Sequence, residues 1–391
     1  MYEIFIYFLI WGIAFFAVIP FFLSLISVFV TKHRYPSSDL EADIACVITG
    51  YKDLSLTVNL VESILKQNYS NYQIYLIADH CTATDYPIKS DKLKIIYPEP
   101  FLSSKSKSIK LAIESYQRNH TYTLVLDPDN LLEKNFLSAC NRYLQNGYVV
   151  VQGMRTAKNI DTHIARLDAM SDYFYNYSHR ILTCKLGSSA TISGSGMIVK
   201  TEIYNQFFAI EDINKHIIAE DKLLQIFIVD QLNKKIAFAN ESHVFDEKVS
   251  TGAQVQRQRT RWIASFFQHF MEGLKVLVNG LYQFRWNKIL FGYTLIVPPL
   301  FLMTLATFFI TILGFTASIK LGIYAFICFF SVIANLFLCL MLSNTPIEVF
   351  KSIFLAPVFI FRQVIGLTRY KDTKTDFLVT EKNHSKSINE L

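Results

Sequence analysis

Residues 4–30, IFIYFLIWGIAFFAVIPFFLSLISVFV, contain no charged side chain. The run exceeds the roughly 20 residues that an α-helix needs to cross the hydrocarbon core of a bilayer. A secretory signal would begin with basic residues, carry a shorter apolar stretch and end on small ones. Here the start is Met1-Tyr2-Glu3, and the basic residues Lys32, His33 and Arg34 come afterwards. The reading is a retained membrane-spanning helix over residues 1–31. Positive charge favours the cytoplasmic side, so the N-terminus is expected outside and the following chain inside. Two further apolar blocks, 289–315 and 321–341, are joined only by TASIK, a link too short for a domain. They predict a membrane hairpin over 288–343 that starts and ends in the cytoplasm. With 51% hydrophobic residues and a mean hydropathy of +0.27, the chain is expected to be a multi-pass protein of the plasma membrane. The net charge of +6 suits anionic lipid headgroups and nucleotide phosphates. No basic–aromatic nucleic-acid module is legible.

Between the membrane segments the pattern changes. IACVIT (44–49) reads as a buried strand, and Leu56, Leu60 and Ile64 recur at helical spacing. QIYLIAD is a second strand ending at Asp79, KLKIIY a third, residues 105–116 a helix, and YTLVLD a fourth strand ending at Asp127. Strands alternating with helices predict an α/β domain with a Rossmann-like, mostly parallel sheet over 43–262. Ligands of such sheets bind beyond the C-terminal strand ends, where Asp79 and Asp127 both fall. The six cysteines form no C-x-x-C pair, so reduced thiols are expected and zinc is not.

LVLDPDN drives an apolar strand into two aspartates, Asp127 and Asp129, one residue apart. A strand that stops at Asp127 and turns at Pro128 can aim both carboxylates at one point, which favours a cation there. Hard oxygen ligands suit Mg²⁺ or Mn²⁺. Taken alone, a solvated Asp-Pro-Asp turn is the commoner explanation. Glu220-Asp221 open an apolar-periodic helix, where acidic residues also serve simply as dipole partners. QRTRW (258–262) offers guanidinium donors suited to a diphosphate and a tryptophan that either stacks on a sugar or wedges into the membrane interface.

Together these pieces resemble the membrane-integrated glycosyltransferases of family 2, the group of the cellulose, chitin and hyaluronan synthases, and the four signatures stand in family order. The resemblance implies a GT-A fold with Asp79 on the nucleotide base, Asp127 and Asp129 as the D-x-D metal and diphosphate motif, Asp221 as general base beside Glu220, and Gln258, Arg259, Arg261 and Trp262 as the Q-(Q/R)-x-R-W motif. Arg261 then belongs to the diphosphate of the donor, and Gln258, Arg259 and Trp262 to the acceptor. Gly194, Ser195 and Gly196 resemble the small-residue segment lining the acceptor site, although a Gly/Ser turn into a strand explains them equally well. Tyr51, Asp53 and Lys105 fall at donor-binding positions. There the chain departs from the family: Lys52 replaces Asn, Asp53 replaces Glu, and the G-K-x-x-A-L-N pattern becomes SKSKSIK.

The implied activity is inverting transfer from a nucleotide sugar, expected to be a UDP-sugar, to a glycan or lipid-linked saccharide at the cytoplasmic face, in the synthesis of cell-surface polysaccharide. The alternatives are a processive synthase, translocating through a homo-oligomer or a partner, and a catalytically inactive scaffold. Residues 263–286 read as an interfacial helix. Residues 346–370 read as a second amphipathic one, because Lys351 and Arg362 would be costly at mid-bilayer; a further span is the alternative. Residues 371–391 read as a polar cytoplasmic tail.

Overall fold

The computed structural model describes residues 1–31, 35–82, 85–210, 220–355 and 388. In chain order it begins with helix α1 (Tyr2–Phe29), strand β1 (Ile44–Tyr51), α2 (Ser55–Leu65), β2 (Tyr72–Asp79), β3 (Leu93–Ile96), α3 (Lys105–Glu114), β4 (Tyr122–Leu126) and β5 (Leu131–Leu132). There follow α4 (Phe136–Gln145), β6 (Val150–Ala157), α5 (His163–Asn176), α6 (Leu182–Lys185), β7 (Met197–Lys200), α7 (Thr201–Ile210), α8 (Glu220–Ile226) and β8 (Ala237–Asp246). The last described elements are α9 (Gly252–Tyr282), α10 (Trp286–Ile296), α11 (Leu300–Ala317), α12 (Ile319–Leu342) and α13 (Ile347–Lys351). A π-helical turn, Tyr177–Ile181, joins α5 to α6. These elements form two compact units.

The α/β unit, Arg34–Ile160 with Ser189–Lys248, holds one eight-stranded sheet of order β3-β2-β1-β4-β7-β6-β8-β5. β1 runs parallel to β2 and β4, β2 to β3, and β6 to β8, while β7 and β5 are antiparallel to their neighbours. The sheet is therefore mixed but mostly parallel, as the strand–helix alternation predicts. IACVI of β1 is fully buried, the pattern of a parallel strand covered on both faces. Leu60, Val61 and Ile64 of α2 pack into the same core. The register sets Tyr51 opposite Asp79, so β1 and β2 end together. Cys46 and Cys140 are buried free thiols, and burial pushes Cys140 up to about 12, which leaves it inert.

The helical unit comprises Met1–His33, Asp161–Ser188 and Val249–Thr380. Three of its helices, α1, α11 and α12, are long and apolar enough to cross a membrane. Inside it, the Ser24 hydroxyl donates to Asn335 Oδ1 at 2.7 Å, and the Ser27 and Tyr177 hydroxyls lie 2.8 Å apart.

The segment boundaries differ from those expected in three places. Residues 161–188 and 249–355 group with the helices rather than with the sheet. The reason at the second of these is local: a capping box of Thr251 and Gln254 starts one uninterrupted helix, α9, that runs from Gly252 through QRTRW to Tyr282. No chain break falls at 262, where a separate interfacial helix was expected. Finally, the apolar block 289–315 is two helices. Extended backbone at Val297 and the donorless Pro298 and Pro299 end α10 at Ile296. α10 packs on α9 through close backbone approaches, where a Cβ on Gly292 would lie 2.4 Å from the Leu277 nitrogen. The hairpin of spanning length is α11–α12, turning at Ser318, whose side chain caps α12. Of the expected amphipathic helix 346–370, the described part is α13 and the 3₁₀ turn Ser352–Leu355. The rest of that helix, and of the tail 371–391 all but residue 388, lie outside the described residues.

Candidate active site

β4 delivers the D-x-D carboxylates, and the two play different parts. Asp127 caps the strand end, and its Oδ1 accepts from the Lys105 ammonium at 2.5 Å. The same ammonium donates to the Gly194 carbonyl at 2.7 Å. Asp129 is buried, and its Oδ2 accepts from the Glu247 backbone N–H, just past the end of β8. The turn between them is fixed by Asn130, whose Oδ1 accepts from the Asp127 N–H at 2.9 Å and from the Ser195 hydroxyl. Ser195 also accepts from the Asp127 N–H at 3.1 Å. Gln152, buried in β6, accepts from Ser193 N–H and donates to the Ser195 carbonyl, both at 2.9 Å. Asn130 and Gln152 were not singled out in the sequence. Their only traces there are an asparagine directly after D-P-D and a glutamine interrupting the apolar strand VVQGM.

The SGSG segment is shaped by its glycines. Gly194 (φ +75°) and Gly196 (φ +64°) occupy the left-handed region, and a Cβ on Gly196 would lie 2.5 Å from Val244. A Cβ on Gly194 would lie 3.4 Å from Asp221 Oδ2, so the segment passes directly beside that carboxylate. Asp221 Oδ1 accepts from the Lys222 N–H, and Oδ2 takes no hydrogen bond among the described residues. Gly194 thus accepts from the Lys105 ammonium paired to Asp127 and runs beside Asp221, bringing D-x-D, Lys105, SGSG and E-D to one place.

Charge is distributed unevenly over this cluster. Burial opposes the Lys105 ammonium, but Asp127, Glu220 and Asp221 outweigh it and hold its pKa above the usual lysine value. Burial raises Glu220, with Asp221 and Asp127 adding to the shift and Lys105 opposing it. Glu220 therefore retains its proton more readily than an ordinary carboxyl. Beside them the buried Tyr204 phenol, which has no hydrogen-bond partner among the described residues, is pushed far up by burial and by neighbours that include Glu220 and Asp221.

The residues expected on the donor side are arranged for anchoring as well. Both oxygens of buried Asp79 accept backbone N–H groups, from Leu102 at 2.9 Å and Ser103 at 2.7 Å. Asp79 so fixes the loop that leads into α3 and Lys105. Asp53 accepts from the N–H and hydroxyl of Ser55 at the start of α2, and these bonds lower its pKa. Around the strand ends His80 stacks on Phe101 with centroids 4.2 Å apart, and Tyr51 lies edge-on to His80 at 5.1 Å. This aromatic group is a flat apolar surface beside the strand ends; His80 and Phe101 were not anticipated.

QRTRW belongs to the helical unit. Arg259 Nη2 donates to Asp168 Oδ1 at 2.6 Å and to the Ser171 hydroxyl at 3.2 Å, with both charged side chains buried. Its guanidinium also lies 4.2 Å from the Trp262 ring centre. Gln258 and Arg261 stand on the same helix.

Among the described residues no group of three or more His, Cys, Asp or Glu side chains could cage a metal ion. The donor set still suits Mg²⁺ or Mn²⁺, which bind through one or two carboxylates and complete their shell with water and substrate phosphate. Asp127, with its side chain 36% exposed, is such a hard oxygen donor.

The family model described as "Glycosyltransferase like family 2" matches residues 42–265, more than half of the chain. No curated protein matches the sequence. Among solved structures, the chain is similar in fold to the mannosyltransferase PcManGT from Pyrobaculum calidifontis, solved with GDP-Man and Mn²⁺. The TM-score is 0.57 and the identity 11%, over 96% of this chain and 100% of that one. A weaker likeness, with a TM-score of 0.39 and 12% identity over 65% of this chain and 55% of that one, is to S. aureus TarS. The mostly parallel sheet with D-x-D at a strand end is the GT-A arrangement, and this chain belongs to glycosyltransferase family 2.

Proposed function

We propose that the protein is an inverting, membrane-anchored transferase that moves a sugar from a nucleoside-diphosphate donor to a hydroxyl of a glycan or lipid-linked acceptor, with Asp221 as general base. The observation that carries this reading is that Asp221 Oδ2, free of hydrogen bonds among the described residues, lies 3.4 Å from where a Cβ on Gly194 would stand, and that the Gly194 carbonyl holds the ammonium paired to Asp127. A sugar hydroxyl is a weak nucleophile at neutral pH, and a carboxylate within hydrogen-bond reach accelerates its attack by roughly 10²–10⁴-fold. The acceptor oxygen bonds to the anomeric carbon as the bond to the diphosphate breaks, and the proton passes to Asp221. One displacement with no covalent intermediate inverts the anomeric centre.

Lys105 supplies positive charge where the departing diphosphate gains negative charge. Asp127 and Asp129 would hold a divalent cation, whose chemistry is to neutralise that leaving group. Glu220, inclined to stay protonated, has a proton to donate and orients the base or the acceptor. Tyr51, His80 and Phe101 take the base of the donor; Arg261 serves its diphosphate, and Gln258 and Trp262 the acceptor. The family resemblance suggests a UDP-sugar, whereas the similar mannosyltransferase was solved with GDP-Man. Lys32, His33 and Arg34 after the first apolar run favour an outside N-terminus and a cytoplasmic catalytic unit.

Radiolabel transfer from a panel of UDP- and GDP-sugars by the purified protein is the test. One donor should be turned over with release of its nucleoside diphosphate and inversion at the transferred sugar. Retention of configuration would overturn the mechanism.

A further inference from the structure

Gln225 stands one turn after Asp221 on the same face of α8. It is fully buried, in a stretch whose other buried members are the apolar Leu224, Phe227, Ile228 and Val229. An amide in such a place costs free energy unless it is hydrogen-bonded. Only half of this one is: Oε1 accepts from the Ile192 N–H at 3.1 Å, whereas Nε2 has no partner among the described residues. A methionine would bury as much carbon without an orphaned donor, so the bond to Ile192 is what the glutamine adds. Ile192 leads into SGSG. The next N–H, that of Ser193, is taken by Gln152 Oε1 at 2.9 Å, and Gln152 Nε2 donates to the carbonyls of Ser195 at 2.9 Å and Gly196 at 3.2 Å. One glutamine thus ties the segment to the sheet, and the other ties it to α8. The spacing of the second tie fits the base. From Asp221 to Gln225 the helix rises about 6 Å, and the two residues from Ile192 to Gly194 span at most about 7 Å of extended chain. Gln225 on Ile192 and Asp221 beside Gly194 are therefore in register. A slip of one residue along the segment would carry Asp221 about 3.5 Å from its place.

We infer that Gln225 is a positioning residue for the transfer: through the Ile192 N–H it registers α8 against the SGSG segment and so sets Asp221 against the Lys105–Asp127 pair. The inference rests on the reading of Asp221 as general base. Gln225 is itself too deeply buried to meet a substrate, so whatever it contributes passes through the carboxylate one turn away. A base that must take a proton across one hydrogen bond tolerates little displacement, and a misplacement of about 1 Å can cost about 10²-fold in rate.

The test is a double-mutant cycle on the full chain. Gln225→Met keeps the length of the side chain and removes its acceptor. Alone it should lower radiolabel transfer, from whichever UDP- or GDP-sugar the wild type turns over, by about 10–10²-fold. The affinity for UDP or GDP by titration calorimetry should be unchanged. Added to Asp221→Asn it should lower transfer no further, because a base already removed cannot be misplaced. Losses that multiply would show that Gln225 acts apart from the base and overturn the inference, as would undiminished transfer by a folded Gln225→Met. Hydrogen exchange gives a readout that needs no turnover. In Gln225→Met the peptide holding Ile192 should take up deuterium faster while the peptide of β1 keeps its rate; unchanged exchange at Ile192 overturns the tie. Gln225→Asn, whose oxygen falls one methylene short, takes the same place in the cycle should the methionine variant fail to fold. If Asp221→Asn alone leaves transfer intact, the base reading fails and the inference with it. If Asp221→Asn is impaired and Gln225→Met is not, the positioning role alone fails.

Discussion

In the α/β unit two site carboxylates, Asp79 and Asp129, are held by backbone, while Asp127 pairs with Lys105. Asp79 rests on two N–H groups, Asp129 on one, and the turn carrying Asp127 on Asn130 and Ser195. In the helical unit the charged group is held by another charge, Arg259 on buried Asp168. Removing one partner of a buried ion pair leaves the other uncompensated. Backbone hydrogen bonds of a folded sheet carry no such liability. Substitution of Asp221 should therefore strike chemistry and spare the fold, while substitution of Arg259 should strike the fold first.

The sharpest test is Asp221→Asn, which keeps shape and removes basicity. Acceptor transfer should fall by roughly 10²–10⁴-fold, with nucleotide affinity by titration calorimetry and the melting curve little changed. Loss of donor binding with normal transfer at saturation would make Asp221 a donor contact instead. Next comes Arg259→Ala, expected to cost about 3–5 kcal/mol of stability by denaturant unfolding. The double variant Asp168→Leu/Arg259→Met should recover most of it. An unchanged unfolding curve with lost activity would break the contrast and make Arg259 a ligand contact. Lys105→Met removes charge from the proposed diphosphate site, so kcat should drop by about 10²–10³-fold, again with the melt nearly preserved. The smallest effect belongs to Glu220→Gln. The folded state raises the pKa of Glu220, so the unfolded chain ionises first and stability falls as pH rises from the ordinary carboxyl range through the folded pKa. The glutamine variant should flatten that part of the stability–pH curve; an unaltered slope would mean that Glu220 is not the group responsible.

Much of the sheet was legible because its strands are continuous apolar runs, two of which end in aspartate: IACVIT, QIYLIAD and YTLVLD each became a strand close to its expected limits. The catalytic cluster was legible as separate motifs, and the contact of Gly194 with Asp221 was not, since it depends on folding. Sequence shows the carboxylates of Asp79 and Asp53 without showing the N–H groups from which they also accept. The Asp168–Arg259 pair joins residues that no local pattern connects. Hydropathy ran 289–315 together because it weighs Pro298 and Pro299 only by their polarity, whereas their missing N–H groups end the helix.

Lys52, His80 and Ser103 sit at φ of 65°, 57° and 49°, beside the ends of β1 and β2 and just ahead of α3. Each holds a conformation that glycine adopts without strain, and each carries a side chain: His80 reaches Ser103 at 2.7 Å, and the Lys52 ammonium lies 5.2 Å from the Tyr51 ring centre. Laboratory evolution for heat resistance alone would be rewarded for glycine at all three positions, and evolution for turnover would not. Sequencing the survivors of the two selections would reveal which of the three strained residues the enzyme needs for its work.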